Sequence, residues 1–593
     1  MNKRYLILDI EADNLLHDVT QVWCVVLQDV SSEEVFTFTH LEKFAGLDQF
    51  LYNPNNIFIA HNGIAYDMPV LKKLLGYQIP WHQVYDTLIL SRMFNSDRFG
   101  GHSLKSYGAE LGCPKQEFTD FSQYSPQMLE YCIQDTTVTR KVWNLFSHLI
   151  TKYKKSIDID REFAHYISLQ EQNGFCLDVG FATAYCTKLE AENEVLTDDL
   201  FKIVPKVKVI PPLYKAAKLE GRLIAESITD FTYITAKTKV IKKVAYKFAE
   251  FNPNSRQQIV DLFKSKYGWV PIEFSEKGSP KVDADVLGGL HYPEAQLLVK
   301  ILDINKKLGQ LKSGQNAWLR QVKEDGRVYG AAIVNGATGG RCTHRIISNI
   351  NKDPNMRKCW IARAGWVLVG CDASGLEART LAHYLSHFDG GQYAEQIYKG
   401  DIHLYNKKIL GLQNRDTAKV AFFAAVYRAQ GLKLGKIVKD DLGLKTAAEM
   451  KQAGNKRRDL LLANLSGYQE LLDMIEETLE KRRYMRCIDG RPLKPRRDYA
   501  AINLLIQASG AAIMKQALNN FMRRMQELKL KHGQDYAFCA NIHDEVVIEC
   551  RPDVAEAMAR EFREAIVKVT DDLKLKCRLD GESKVGQNWL EVH

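Results

Sequence analysis

No two of the twelve cysteines form a CxxC pair, so the 593-residue chain carries neither the spacing of a zinc site nor that of a disulfide framework. A reducing compartment is expected. No stretch approaches the roughly 18 uninterrupted apolar residues of a membrane span. No basic leader, long apolar core or small-residue cleavage site precedes the strand-like RYLILDIEA at residues 4–12, so neither a membrane nor a targeting role is expected. A strong charge of either sign is also missing, since the net +9 is modest for this length and by itself says little about partners. Charge is concentrated in one place: eleven Lys or Arg face three acids between Lys202 and Lys247. That stretch is either a solvated face or a surface that grips phosphates.

What is present belongs to a folded protein, with 46% apolar and 26% charged residues. At about 100 to 200 residues per domain the chain divides into roughly three or four. YLILDIEADN reads as a buried strand whose period of two puts Asp9 and Glu11 on one face at its end. IFIAHNGIAYDMPVL is a second apolar run followed by a turn and a helix start, with Asp67 near the helix N-terminus. In SPQMLEYCIQDTTVTRKVW, Ser125 is an N-cap, Pro126 takes the first helical position, and Tyr131 and Asp135 share a face at i and i+4.

In this order and on these elements the three motifs resemble those of the DEDD proofreading nucleases, in the form with tyrosine in the third motif. The resemblance implies that Asp9, Glu11, Asp67 and Asp135 hold two divalent ions about 3.5 to 4 Å apart, one activating water and one stabilising the leaving 3′ oxygen. Tyr131 would orient the attacking water.

The second half poses a different question. ANIHDEVVIEC, residues 540–550, sets Asp544 and Glu545 in an apolar run, where a buried carboxylate costs several kcal/mol unless paired. VLVGCDASGLEARTLAHYL is a strand ending at Asp372, a tight turn through Ser374 and Gly375, and a helix from about Leu376. RDTAKVAFFAAVY carries Arg415, Lys419, Phe423 and Tyr427 at intervals of four, one stripe of one helix that a core helix would not begin with two cations. These segments resemble the palm motifs and finger helix of family A DNA polymerases. By resemblance Asp372, Asp544 and Glu545 are catalytic, with Asp372, Asp544 and Ala373 on two Mg2+ ions that Mn2+ could replace. Arg415, Lys419 and His403 (in GDIHLY) meet the triphosphate, Phe423 and Tyr427 flank base and sugar, and Glu377 packs under the sugar, with Ala373 also at the nucleotide. Arg341 (in NGATGGRCTH), Asn503 and Gln507 (in GRPLKPRRDYAAINLLIQASGAA) and His543 face the primer-template minor groove.

The resemblance covers nearly the whole chain, including the closing GQNWLEVH, and is nearest to the polymerases of short-tailed bacteriophages. It implies an α/β multidomain protein: a ribonuclease H-like exonuclease domain over 1–155, a thumb with linker helices and the basic insertion over 156–330, palm over 331–400 and 481–593, and fingers over 401–480. Two positions depart from the family pattern. Arg428 stands where glycine usually follows the tyrosine and is expected to bond a template phosphate, and an extra glycine (Gly339, Gly340) bears on where Arg341 lies. The implied function is template-directed synthesis of phage DNA with 3′-to-5′ proofreading, in the cytoplasm of the infected bacterial host, on primer-template DNA and deoxynucleoside triphosphates. A replicative helicase-primase is a candidate partner. A thioredoxin-type processivity factor is not expected, because Val204 to Phe251 is shorter than the full insertion that recruits it and is read instead as a DNA-gripping element. The alternatives are a repair-type polymerase and an exonuclease whose polymerase half only binds DNA; Glu377 argues against an RNA polymerase.

Overall fold

The computed structural model describes residues 3–209, 223–226, 230–234, 240–244, 247–271, 274–275, 278–347, 350–351 and 353–593. Half of the basic stretch between Lys202 and Lys247, and with it the reading of that stretch as a DNA-gripping element, lies outside the described residues. Strands are assigned within it at Val207–Val209, Leu223–Glu226, Asp230–Ile234, Val240–Val244 and Lys247–Ala249.

The N-terminal sheet has the order β3-β2-β1-β4-β5, built from Arg4–Ala12 (β1), Val22–Asp29 (β2), Val35–Thr39 (β3), Asn56–Ala60 (β4) and Val84–Asp86 (β5). β1 runs antiparallel to β2 and parallel to β4. Helices Asp67–Leu75 (α1), Thr87–Phe94 (α2) and Pro126–Phe146 (α3) follow. Alternation along β1 sorts its side chains by face. Leu6, Leu8 and Ile10 join a core with Val70 and Leu71 of α1, while Ile7 joins a second core with Val138, Val142 and Trp143 of α3. The odd-numbered Asp9 and Glu11 therefore continue the face that carries α3.

Helix Lys154–Asn173 (α4) comes next, and the chain then enters a separate compact unit formed by residues 177–326 and 350–359. Its core gathers Leu200, Phe251, Ile259, Phe263, Leu298 and Ile301. The expected boundary at 156 falls inside α4. That helix belongs instead to the first unit, because Asp160, Phe163, Tyr166 and Ile167 are buried there.

A second sheet, β7-β8-β6-β9, is antiparallel throughout and joins Val367–Ala373 (β6), Tyr536–Ile542 (β7), Glu545–Cys550 (β8) and Gly581–Gly586 (β9). Helices Leu376–Leu385 (α5), Ile402–Leu410 (α6), Arg415–Val426 (α7), Ala501–Glu527 (α8) and Ala555–Asp572 (α9) complete the set used below. Val369 and Ile548 of this sheet pack with Ile513 and Phe521 of α8 and with Phe562 of α9, in the same continuous core as the even-numbered side of β1. A further core holds α5, α7 and the start of α8 through Leu381, Phe422 and Leu505.

Within that first unit a buried charge cluster joins distant segments. Asp160 of α4 accepts from Arg491 and from Lys515 of α8, both at 2.8 Å, and Asn335 donates to Asp160 and accepts from Lys515, both at 2.6 Å. Burial raises the Asp160 pKa, but Arg491 and Lys515 outweigh it and hold the group at about 2. Asp160→Asn keeps the shape but leaves the buried Lys515 ammonium without its carboxylate, while Arg491 retains only Asp489 at 2.7 Å. Urea unfolding should show a loss of about 3 to 5 kcal/mol, and a loss under 1 kcal/mol would deny the cluster this role.

Candidate active sites

In the N-terminal lobe, Ser125 caps α3 by accepting from Met128 N–H at 3.2 Å, and Pro126 begins the helix, which fixes where Tyr131, Cys132 and Asp135 come around to the sheet. Asp86 caps α2 and accepts from the N–H groups of Asn62 and Ile64, which shapes the turn leading to Asp67 at the start of α1. The structure brings Asp9, Glu11, Asp67 and Asp135 together. The Cys132 thiol donates to Asp9 at 3.3 Å, and ligand atoms of Asp9, Glu11 and Cys132 all lie within 4.8 Å of one another. Burial pushes the Asp9 pKa up strongly, helped by Glu11, Asp67 and Asp135; burial likewise raises Glu11 to about 9 and Asp67 to about 7.

Sequence reasoning missed Lys115. Its ammonium pairs with Asp135 and sits 4.4 Å from the centre of the Tyr131 ring, which is also flanked by Phe118 and Phe121. Burial raises the Asp135 pKa and Lys115 opposes it, while the other carboxylate oxygen, Asp135 Oδ1, is buried without a hydrogen-bond partner. Crowded carboxylates, one of them with an orphaned oxygen, are a donor set that suits hard divalent cations. No motif announces Lys115, which sits in a loop twenty residues before Asp135.

The second sheet accounts for the acids of ANIHDEVVIEC. Ile542 pairs with Glu545, so His543 and Asp544 are the two residues of a tight turn, and His543 has a φ of 60°. Asp372 pairs with Glu545 in the neighbouring register, and Ala373 N–H donates to the Asp544 carbonyl at 3.3 Å. The Asp372 carboxylate reaches solvent, yet partial burial first, then Asp544 and Glu545, push its pKa up to about 7. Glu582 lies opposite it on β9 and adds to this, a fourth carboxylate that sequence reading did not select. Glu545 is held back from the opening by Trp589 Nε1 at 2.6 Å and by the His593 ring at 3.0 Å.

On α7 the stripe lies as its spacing predicts. Asn414 caps the helix, Ala418, Phe422 and Ala425 are buried, and the opposite side runs from exposed Arg415 and Lys419 to half-buried Phe423 and Tyr427, whose rings are 6.0 Å apart. Arg415 donates to Asp401 at 2.5 Å, and Asp401 caps α6. His403 is buried with its ring 6.0 Å from Phe423; burial, then Lys419 and Arg415, lower its pKa to about 4, so it is neutral beside two cations, with Nδ1 unpartnered. The Tyr427 hydroxyl faces Glu377, which accepts from Arg341 at 3.2 Å.

The two departures from pattern have structural accounts. Gly340 has a φ of 78°, and a Cβ there would come within 2.6 Å of Arg491 Nη1, while Gly339 lies against Leu504 and Ala508 of α8. This turn, closed by Ala337 N–H to Arg341 carbonyl at 3.1 Å, aims Arg341 at Glu377. Asn503 and Gln507 occupy the half-buried side of α8, and Arg341 and His543 line one small cleft beside Lys515. Arg428 has a φ of 60° and closes a Schellman motif, with its N–H on Ala425 and that of Ala429 on Ala424; its guanidinium reaches Glu476 at 3.2 Å. Glycine suits this position because of its backbone.

A ribonuclease H-like nuclease fold and a carboxylate-bearing palm sheet in one chain define a polymerase with an attached exonuclease domain. A family model for DNA polymerase family A matches residues 230–591, and one for the RNase H superfamily matches residues 6–147. The chain belongs to DNA polymerase family A, and it is a DNA-directed DNA polymerase with an RNase H-like exonuclease domain. The DNA-directed DNA polymerases of Enterobacteria phage T3 and Escherichia phage T7 are each 29% identical to it, over 99% of this chain and all of theirs. DNA polymerase I of Aquifex aeolicus is 24% identical over all of this chain and 96% of its own. The solved POL domain of Pol1 from M. smegmatis, in complex with DNA primer-template and dNTP, shares the fold with a TM-score of 0.73 at 15% identity, covering all of this chain and 96% of that one. Among the described residues no helix is long and apolar enough to cross a membrane.

Two measurements follow from the geometry. Carboxylates with raised pKa values bind protons on folding, so their stabilising contribution is full below the unfolded pKa near 4 and is lost as pH rises through about 7 for Asp67 and Asp372 and about 9 for Glu11. In the metal-free chain this leaves repulsion that a divalent cation relieves. Mg2+ should therefore raise Tm more at about pH 8 than at about pH 5, and equal increments would contradict the electrostatic picture. Arg428→Gly should stabilise the fold by about 1 kcal/mol by relieving left-handed strain; a loss of stability in urea would mean that the Glu476 pair outweighs the strain.

Proposed function

We propose that this polymerase replicates phage DNA in the cytoplasm of an infected bacterium and proofreads its own product in the 3′-to-5′ direction, using the two carboxylate sites as separate centres. The observation that carries the reading is the turn that sets Asp544 beside the end of the strand bearing Asp372, next to the helix whose first turn carries Glu377. In this reading Asp372, Asp544 and the Ala373 backbone hold Mg2+, with Mn2+ as a substitute, and Asp9, Glu11, Asp67 and Asp135 hold the divalent ions of the nuclease. When bound, such ions supply the positive charge that makes a hydroxyl or water nucleophilic and steadies the leaving oxygen.

The chain's own groups do the positioning. Lys419, Arg415 and neutral His403 receive the triphosphate, for which Arg415 exchanges Asp401. Phe423 and Tyr427 flank the nucleotide, and Glu377 against Tyr427 leaves no space for a 2′-hydroxyl. Arg341, Asn503, Gln507 and His543 meet the minor groove, where purine N3 and pyrimidine O2 acceptors permit contact without reading sequence. Arg428 exchanges Glu476 for a template phosphate. In the nuclease Tyr131 orients the attacking water, and Glu545, held by Trp589 and His593, supports the palm carboxylates. Residues 177–326 act as thumb, 331–400 and 481–593 as palm and 401–480 as fingers, with a replicative helicase-primase as the expected partner class.

Separation of activities tests this. Asp372→Ala or Asp544→Ala should cut primer extension roughly a thousandfold or more, about 4 kcal/mol, while 3′ degradation survives. The Asp9→Ala, Glu11→Ala double variant should do the reverse. Well-folded variants that lose both activities together would rule out two independent centres.

A further inference from the structure

Lys115 is held beside the nuclease carboxylates by its backbone as well as by its charge. It sits in the loop of residues 113–125, and Gln134, the residue before Asp135 on α3, fastens that loop to the helix. The Gln134 amide donates to the Pro114 carbonyl at 2.5 Å and accepts from Gln116 N–H at 3.0 Å, so the chain is pinned on both sides of Lys115. A turn and more further along α3, Lys141 donates to the Leu111 carbonyl at 3.3 Å.

The side chain, by contrast, has room to move. It is one-fifth exposed and lines a cavity of about 720 Å³. Its ammonium has two neighbours of different kinds, the Asp135 carboxylate and the face of Tyr131, 4.4 Å from the ring centre. Asp135 is only 5% exposed, and its Oδ1 has no hydrogen-bond partner. Burial raises the pKa of both Glu11 and Asp135, and Lys115 opposes the rise at each, so its charge is felt by two of the four acids. A divalent cation carries twice the charge of an ammonium and seeks the same carboxylate oxygens. It does not compete for the ring, whose weaker attraction for the ammonium is of the cation–π type.

We infer that Lys115 is a tethered counter-cation of the nuclease site: it neutralises Asp135 until it is displaced by a divalent cation, and it then keeps its hold on the Tyr131 ring. The inference rests on the reading of Asp9, Glu11, Asp67 and Asp135 as the ligands of divalent ions. Lys115 thereby sets how much cation the nuclease needs, since the Lys115–Asp135 pair must break before Asp135 can serve as a ligand. The pinned backbone returns the ammonium to Asp135 whenever that carboxylate is released.

Mn2+ binding to the full chain, followed by the electron paramagnetic resonance of the free ion, tests this. Asp372→Ala and Asp544→Ala are built into every protein compared, so that the palm carboxylates do not contribute. Lys115→Met, which keeps the length and removes the charge, should bind Mn2+ roughly tenfold or more tightly than its parent. Lys105→Met, which deletes an exposed lysine of the same lobe paired with Glu117, should match the parent. Equal or weaker binding by Lys115→Met would overturn the inference while leaving the divalent-ion reading intact. If parent and Lys115→Met bound no more Mn2+ than a protein that also carries Asp9→Ala and Glu11→Ala, the divalent-ion reading would fall, and the inference with it. The displacement is also measured on the unsubstituted chain, which removes any dependence on the folding of Lys115→Met. In limited acetylation by an N-hydroxysuccinimide ester, read by peptide mass spectrometry, Mg2+ should speed labelling of Lys115 severalfold over EDTA and leave Lys105 unchanged. A Lys115 rate that Mg2+ leaves the same or lowers would overturn the inference as well.

Discussion

The Asp160 carboxylate, enclosed by Arg491, Lys515 and Asn335, is the contact on which the arrangement of the first unit turns. Asp160 comes from the helix that follows the nuclease lobe, Lys515 from the long palm helix, and Asn335 from the segment that leads to Arg341. A buried ion cluster pays for its desolvation only when its geometry is complete. Small displacements of any of the three segments are therefore penalised in a way that apolar packing would not penalise them. The same guanidinium lies where a Cβ on residue 340 would fall, so the path of the loop bearing Arg341 follows from the cluster.

Both carboxylate sites rest on the opposite principle. In each, acids are gathered without enough positive charge, and their pKa values climb. The two differ in how the protein limits the cost. In the nuclease lobe, Lys115 supplies one positive charge and leaves one oxygen of Asp135 unpartnered. In the palm, Asp372 opens to solvent, while Glu545 is tied to the C-terminal helix by Trp589 and His593. A deficit of positive charge in a rigid frame is what a hard cation would relieve.

Short-range periodicity explains most of what could be read in advance. Asp9 and Glu11 share a face because a strand repeats every two residues, and Tyr131 and Asp135 because a helix turns every 3.6; neither needs a partner to be true. The caps at Ser125 and Asn414 and the stripe from Arg415 to Tyr427 are likewise local. The boundary at 156 shows where local reading fails. α4 looks like an independent linker in sequence, but its burial against segments hundreds of residues away places it in the first unit.

The sequence by itself determined the order of the two folds, the positions of the acids at strand and helix ends, and the face of each helix that carries polar groups. Only the tertiary structure decided which charges meet. Lys115 finds Asp135, Glu582 comes opposite Asp372, Arg341 reaches Glu377, and Arg428 takes a left-handed backbone and Glu476. Those pairings depend on packing between segments far apart in the chain, and spacing along one strand or helix carries no information about them.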